Sequence, residues 1–97
     1  MKALRACACC GYRTLELPPG RFDLCPICCW EDDDVQQEDP DYAGGANQVS
    51  LRQAQVNFRM LGASEERFLK NVRAVEPSDI RDDAWRPLEE QNTRRTN

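Results

Sequence analysis

Residues 24–34 read LCPICCWEDDD, from Leu24 to Asp34, and hold three of the six cysteines and the start of an acidic run. Cys25-Pro26-Ile27-Cys28 is a C-x-x-C turn, in which the backbone curls so that both sulfurs face one ion. Upstream, Cys7-Ala8-Cys9-Cys10-Gly11 repeats the pattern, with 14 residues, Gly11 to Leu24, between the two turns. Pro26 sets φ for its turn, and Gly11 frees the backbone behind Cys10. Two such turns on one hairpin present four thiolates to one tetrahedral point. The spacing therefore predicts a structural metal held by Cys7, Cys10, Cys25 and Cys28.

Zinc is the expected ion, one per chain, because closed thiolate sites without redox work usually hold it. Iron is the minor alternative, since C-x-x-C-G and C-P-x-C turns also serve rubredoxins. Cys9 and Cys29 are left over. Either could replace its neighbour as a ligand, form a redox-sensitive pair, or fill space as a small apolar side chain.

Working outward, Tyr12–Leu17 and Arg21–Leu24 alternate in polarity and read as two strands joined by Pro18-Pro19-Gly20. Residues 31–49 read as a long loop with seven acids and no base. Ser50 with Gln53 three residues on is a helix start, Leu51, Ala54, Phe58 and Leu61 recur on one face, and Gly62 ends it. A second helix is expected from Ser64, burying Phe68, Leu69 and Val72. The predicted fold is small α+β: a zinc-ribbon-like β-hairpin with two cysteine knuckles, then a long acidic loop and two short α-helices. Residues 1–76 form the single cysteine-rich domain. Residues 77–97 are a mostly irregular tail, docked through Trp85, with a disordered end.

The chain has 97 residues, enough for one domain whose modest core would gain from a metal staple. It lacks an apolar run long enough to span a membrane and an apolar signal region, so a cytoplasmic location is expected, where thiols stay reduced. Residues 1–30 carry net +2, 31–49 net −7, 50–75 net +3 and 76–97 net −2, giving −4 in all. That balance argues against a nucleic-acid partner and favours a basic protein, with Glu31, Asp32, Asp33 and Asp34 as the expected docking residues. An EF-hand starting at Asp39 fails, since Ala43 and Ser50 stand where ligands are needed. There is no histidine to serve as base or ligand, and a four-thiolate site leaves no position for water, so no enzyme is expected.

The strings CACCGYRTL, LCPICCWEDDD, DPDYAGGANQVSLRQAQVNF and GASEERF, in that order, resemble the bacterial cysteine-rich CPCC family across about residues 6–75. Ala8 stands where that family's name motif has proline, and Cys29 falls where the motif need not have cysteine. The resemblance implies metal and fold and leaves activity open. The functional expectation is a non-enzymatic structural-zinc protein acting as a protein-interaction module, of which an immunity or antitoxin-type binder of a basic partner is one form. The alternative is a nucleic-acid-binding zinc ribbon using Arg5, Arg13 and Arg21 with Tyr12 and Phe22.

Overall fold

The computed structural model describes residues 3–88. The expected disordered end, Glu89–Asn97, lies outside the described residues. The fold is small α+β, with a two-stranded antiparallel hairpin, two α-helices and a cysteine cluster between them.

Strand β1 is Arg5–Ala6 and strand β2 is Arg13–Leu15. They pair antiparallel, Arg5 opposite Leu15 and Ala6 opposite Arg13, with an irregularity between Arg5 and Ala6. The expected strand at Tyr12–Leu17 therefore forms in its middle but takes a different partner. It pairs with the residues before the first cysteine turn, not with Arg21–Leu24. The second segment instead bridges Leu24 to Glu31. The reason is local: a C-x-x-C turn reverses the chain, so each turn joins its own two flanks. Cys7 N donates to Tyr12 O (2.9 Å) and Gly11 N to Cys7 O (2.8 Å), while Cys25 N donates to Trp30 O (3.0 Å) and Cys29 N to Cys25 O (2.8 Å). The two knuckles have the same hydrogen-bonding plan.

Helix α1, Asp34–Glu38, stands where a loop was expected. Asp33 is its cap, its carboxylate accepting from Val35 N (2.9 Å) and Gln36 N (3.2 Å). At five residues the helix is too short to show an apolar period. The rest of the acidic segment is organised by two buried amides. Gln36 Nε2 donates to the carbonyls of Tyr42, Val49 and Asn47, and its Oε1 accepts from both Asn47 N and Asn47 Nδ2. Asn47 in turn pairs with both backbone groups of Glu31, at 2.9 Å each. A 19-residue stretch with little apolar content is thus closed by hydrogen bonds.

Helix α2, Leu51–Leu61, follows the expectation. Ser50 Oγ accepts from Gln53 N, and Gly62 ends the helix in a left-handed conformation, φ 88°. Leu51 and Ala54 are buried and Phe58 is half-buried, but Leu61 is exposed and Gln55 takes a buried place. The second expected helix does not form. Only a 3-10 turn, Glu66–Phe68, is present, and Leu69 is exposed. Ser64 is not its cap because it belongs to the core: it is fully buried and its N donates to Cys28 O (2.8 Å).

Five of the ten residues in the buried apolar cluster are cysteines, joined by Leu15, Ile27, Trp30, Leu51 and Ala54. A core built half from small thiols has little oil of its own to bury. Among the described residues no helix is long and apolar enough to cross a membrane.

Candidate metal centre

The two knuckles bring Cys7, Cys10, Cys25 and Cys28 together, with all four sulfurs within 4.8 Å of one another and all four residues 0% exposed. Cys7 Sγ lies 3.6 Å from Cys28 Sγ, and Cys10 Sγ lies 3.7 Å from Cys25 Sγ. Tetrahedral sulfurs at the usual zinc–sulfur bond length stand about 3.8 Å apart. The donor set and its spacing therefore fit a metal ion. All six cysteines are free, so none of these pairs is a disulfide.

The electrostatics point the same way. The Cys25 thiol is held far below its ordinary range by the neighbouring thiols of Cys10, Cys28 and Cys7, with the Thr14 hydroxyl adding a bond at 3.1 Å. Cys7 is pushed up, first by burial, and Cys28 is pushed up by Cys10 beside it. Four thiolates there need a positive charge at their centre, because an uncompensated buried anion is costly.

Cys9 and Cys29 stand outside this set. Cys9 is buried in the core cluster. Cys29 occupies in the second knuckle the place Gly11 holds in the first, and both are left-handed, φ 67° and 82°. A non-glycine residue there costs about 1–2 kcal/mol. Burial raises the pKa of the Cys29 thiol, and the nearby Cys25 adds to the effect. Cys29→Gly is expected to retain full metal content and to change stability by less than about 1 kcal/mol, relief of strain offsetting lost burial. Elemental analysis with urea unfolding checks it; loss of the metal would make Cys29 a ligand.

Each knuckle is clamped by a later segment. Arg73 N donates to Pro26 O (3.1 Å) and Ser64 N to Cys28 O across the second. Over the first lies the tail. Trp85 Nε1 donates to Ala8 O (2.9 Å), Arg81 Nε to Cys10 O (3.0 Å), and Asp82 N to Gly11 O (2.8 Å). The Arg81 guanidinium sits between the Tyr12 and Trp85 rings, 5.0 and 4.9 Å from their centroids. A Cβ on Gly11 would stand 2.6 Å from the Trp85 ring. Gly11 is thus required twice, for its φ and for this contact. Gly11→Ala is expected to cost about 2–3 kcal/mol, from backbone strain and a displaced ring. Urea unfolding of the metal-loaded chain measures it, and a loss under about 0.5 kcal/mol, the range of an ordinary surface substitution, would disprove the tight seat.

The acidic residues behind the second knuckle do not make one exposed face. Asp32 and Asp33 are 2% and 6% exposed. Asp32 Oδ2 accepts from Arg5 Nη2 (2.9 Å) and Gly20 N (3.2 Å), and Asp33 Oδ2 accepts from Ala46 N (2.9 Å) besides capping α1. Glu31 is half-buried and Asp34 exposed. This corrects the docking set Glu31, Asp32, Asp33 and Asp34: its two central members are internal struts. The run of like charge hid this, because which carboxylate turns inward depends on backbone N–H groups far off in sequence. Arg5 and Arg13 are likewise engaged, with Asp32 and Asp82.

The model of the cysteine-rich CPCC family matches residues 5–79, so the tail clamp from Ile80 on lies beyond the match. No curated protein matches the chain. With paired knuckles, a buried four-sulfur cluster and a match over three quarters of its length, the chain belongs to the cysteine-rich CPCC family.

Proposed function

We propose that the chain is a non-enzymatic protein-interaction module stapled by one structural Zn²⁺, with Cys7, Cys10, Cys25 and Cys28 as ligands. The observation that supports the staple is the burial of all four sulfurs within 4.8 Å of one another, with two pairs at 3.6 and 3.7 Å. A closed four-thiolate site has no open position for water or substrate, and its role is to hold the fold. Catalysis by the ion would need a vacant coordination position and a base, and the chain has no histidine. A reducing compartment such as the cytoplasm suits a site that works only with reduced thiols. The nucleic-acid reading loses support, because the guanidinium groups of Arg5 and Arg13 already face carboxylates.

Metal content per chain tests the reading, measured on protein purified without added metal. The expected result is one zinc per chain and a colourless protein. One iron per chain, with its visible charge-transfer bands, would replace zinc by iron. A metal-free chain with an unchanged fold would overturn the structural-metal reading.

A further inference from the structure

The turn between the knuckles displays apolar side chains on a strained and locked backbone. Leu17, Phe22 and Leu24 are 44%, 55% and 51% exposed. Phe22 is left-handed, φ 58°. A bulky residue there is a genuine outlier, held only when its surroundings over-determine it. They do so here. The Asp23 carboxylate accepts from Glu16 N (2.7 Å) and Leu17 N (3.0 Å), and these N–H groups, Leu17 first, lower its pKa. Phe22 N donates to Asp32 O (3.0 Å), and Asp32 holds Gly20 N. Glycine would fit at position 22 without strain, yet a large aromatic stands there, half in water.

The rim of this turn is mainly acidic. Glu16 directly precedes Leu17, Leu24 is bridged to Glu31, and a Cβ on Gly20 would stand 2.9 Å from Asp34 Cγ. The side chains of Glu16, Glu31 and Asp34 make no ion pair among the described residues. Arg21 is the one cation within the turn, and Arg5, whose Nε donates to Leu17 O (2.8 Å), is paired with Asp32. Three exposed apolar side chains within eight residues of one turn, rimmed by charge, mark an interaction surface. Its charge selects a cationic occupant.

Resting on the interaction-module reading, we propose that the turn Leu17–Leu24 is the docking surface, with Phe22 as its anchor, for a protein segment that pairs an apolar side chain with lysine or arginine. This moves the docking site off the buried Asp32 and Asp33 and onto the turn they support.

The test pans a phage-displayed random 12-mer peptide library against the metal-loaded chain at physiological salt. Enriched peptides are then titrated as synthetic peptides against wild type, Phe22→Gly and Leu24→Ser. The expected peptides combine apolar and basic residues. Their affinity falls at least tenfold in Phe22→Gly and weakens with salt. Phe22→Gly is also expected to melt no lower than wild type, since strain is relieved; a merely structural phenylalanine would lower the melting temperature. Peptides that bind Phe22→Gly as well as wild type would overturn the placement and leave the module reading standing. No enrichment by wild type would sink both. A wild-type dimer that Phe22→Gly turns into a monomer, seen by sedimentation velocity, would make the occupant a second copy and overturn the basic partner.

Discussion

The Cys10→Ser chain is expected to be unfolded at 25 °C, with far-UV circular dichroism of a coil and no bound metal. Structural zinc sites contribute about 10–16 kcal/mol of apparent binding energy, which is folding energy where the apo chain has no preformed site. A domain of this size has a net stability of about 5–15 kcal/mol. Here half of the central apolar cluster is thiol, so little else could compensate. Removal of the metal by a chelator is expected to give the same coil, and re-addition of zinc to restore the fold. The sign of the pH effect follows. Metal binding depresses the thiol pKa values in the folded state, so the stabilisation is full above the thiols' ordinary range and is lost as pH falls and protons displace the ion. A metal titration at several pH values, followed by circular dichroism, measures this. A Cys10→Ser chain with native dichroism and a sharp melting transition would show that the cluster is not the staple.

Gln36→Leu is expected to cost about 4–6 kcal/mol in the metal-loaded protein, because several buried polar groups lose their partner together at about 1–3 kcal/mol each. Gln36 is fully buried and gathers the carbonyls of Tyr42, Asn47 and Val49 while accepting two bonds from Asn47. Leucine of similar volume keeps the packing and removes every one of these bonds. Asn47 then loses its orientation, and with it the two bonds that tie Glu31 to the loop. Metal content is expected to stay at one per chain, since no knuckle residue is touched. Amide exchange at Asn47 and Glu31 is expected to accelerate more than exchange at Ala54 in α2. The exposed neighbour Gln37→Leu serves as control, at less than about 0.5 kcal/mol. Equal effects at positions 36 and 37 would disprove the amide hub.

Part of this molecule was legible in its sequence because the signals are local. A C-x-x-C turn fixes where two sulfurs point within four residues, and two such turns sufficed to name the cluster of Cys7, Cys10, Cys25 and Cys28. Helix α2 was equally plain, with its serine cap, apolar period and terminal glycine. Asp33 followed by Gln36 three residues on has the form of a capping box, but without an apolar run behind it α1 read as loop. What only the tertiary structure decided is which partner each group meets. Strand β2 chose β1 because a knuckle closes on its own flanks. Asp32 and Asp33 turned inward to meet Arg5, Gly20 and Ala46, 12 or more residues away. Ser64 left its helix for the second knuckle, and Gln36 and Asn47 closed a loop that has little apolar pattern to read. Cysteine turns and caps are set by bonds between near neighbours, which the sequence prints side by side. Burial of a carboxylate or an amide is set by distant backbone donors and acceptors, which come into reach only when the chain has folded.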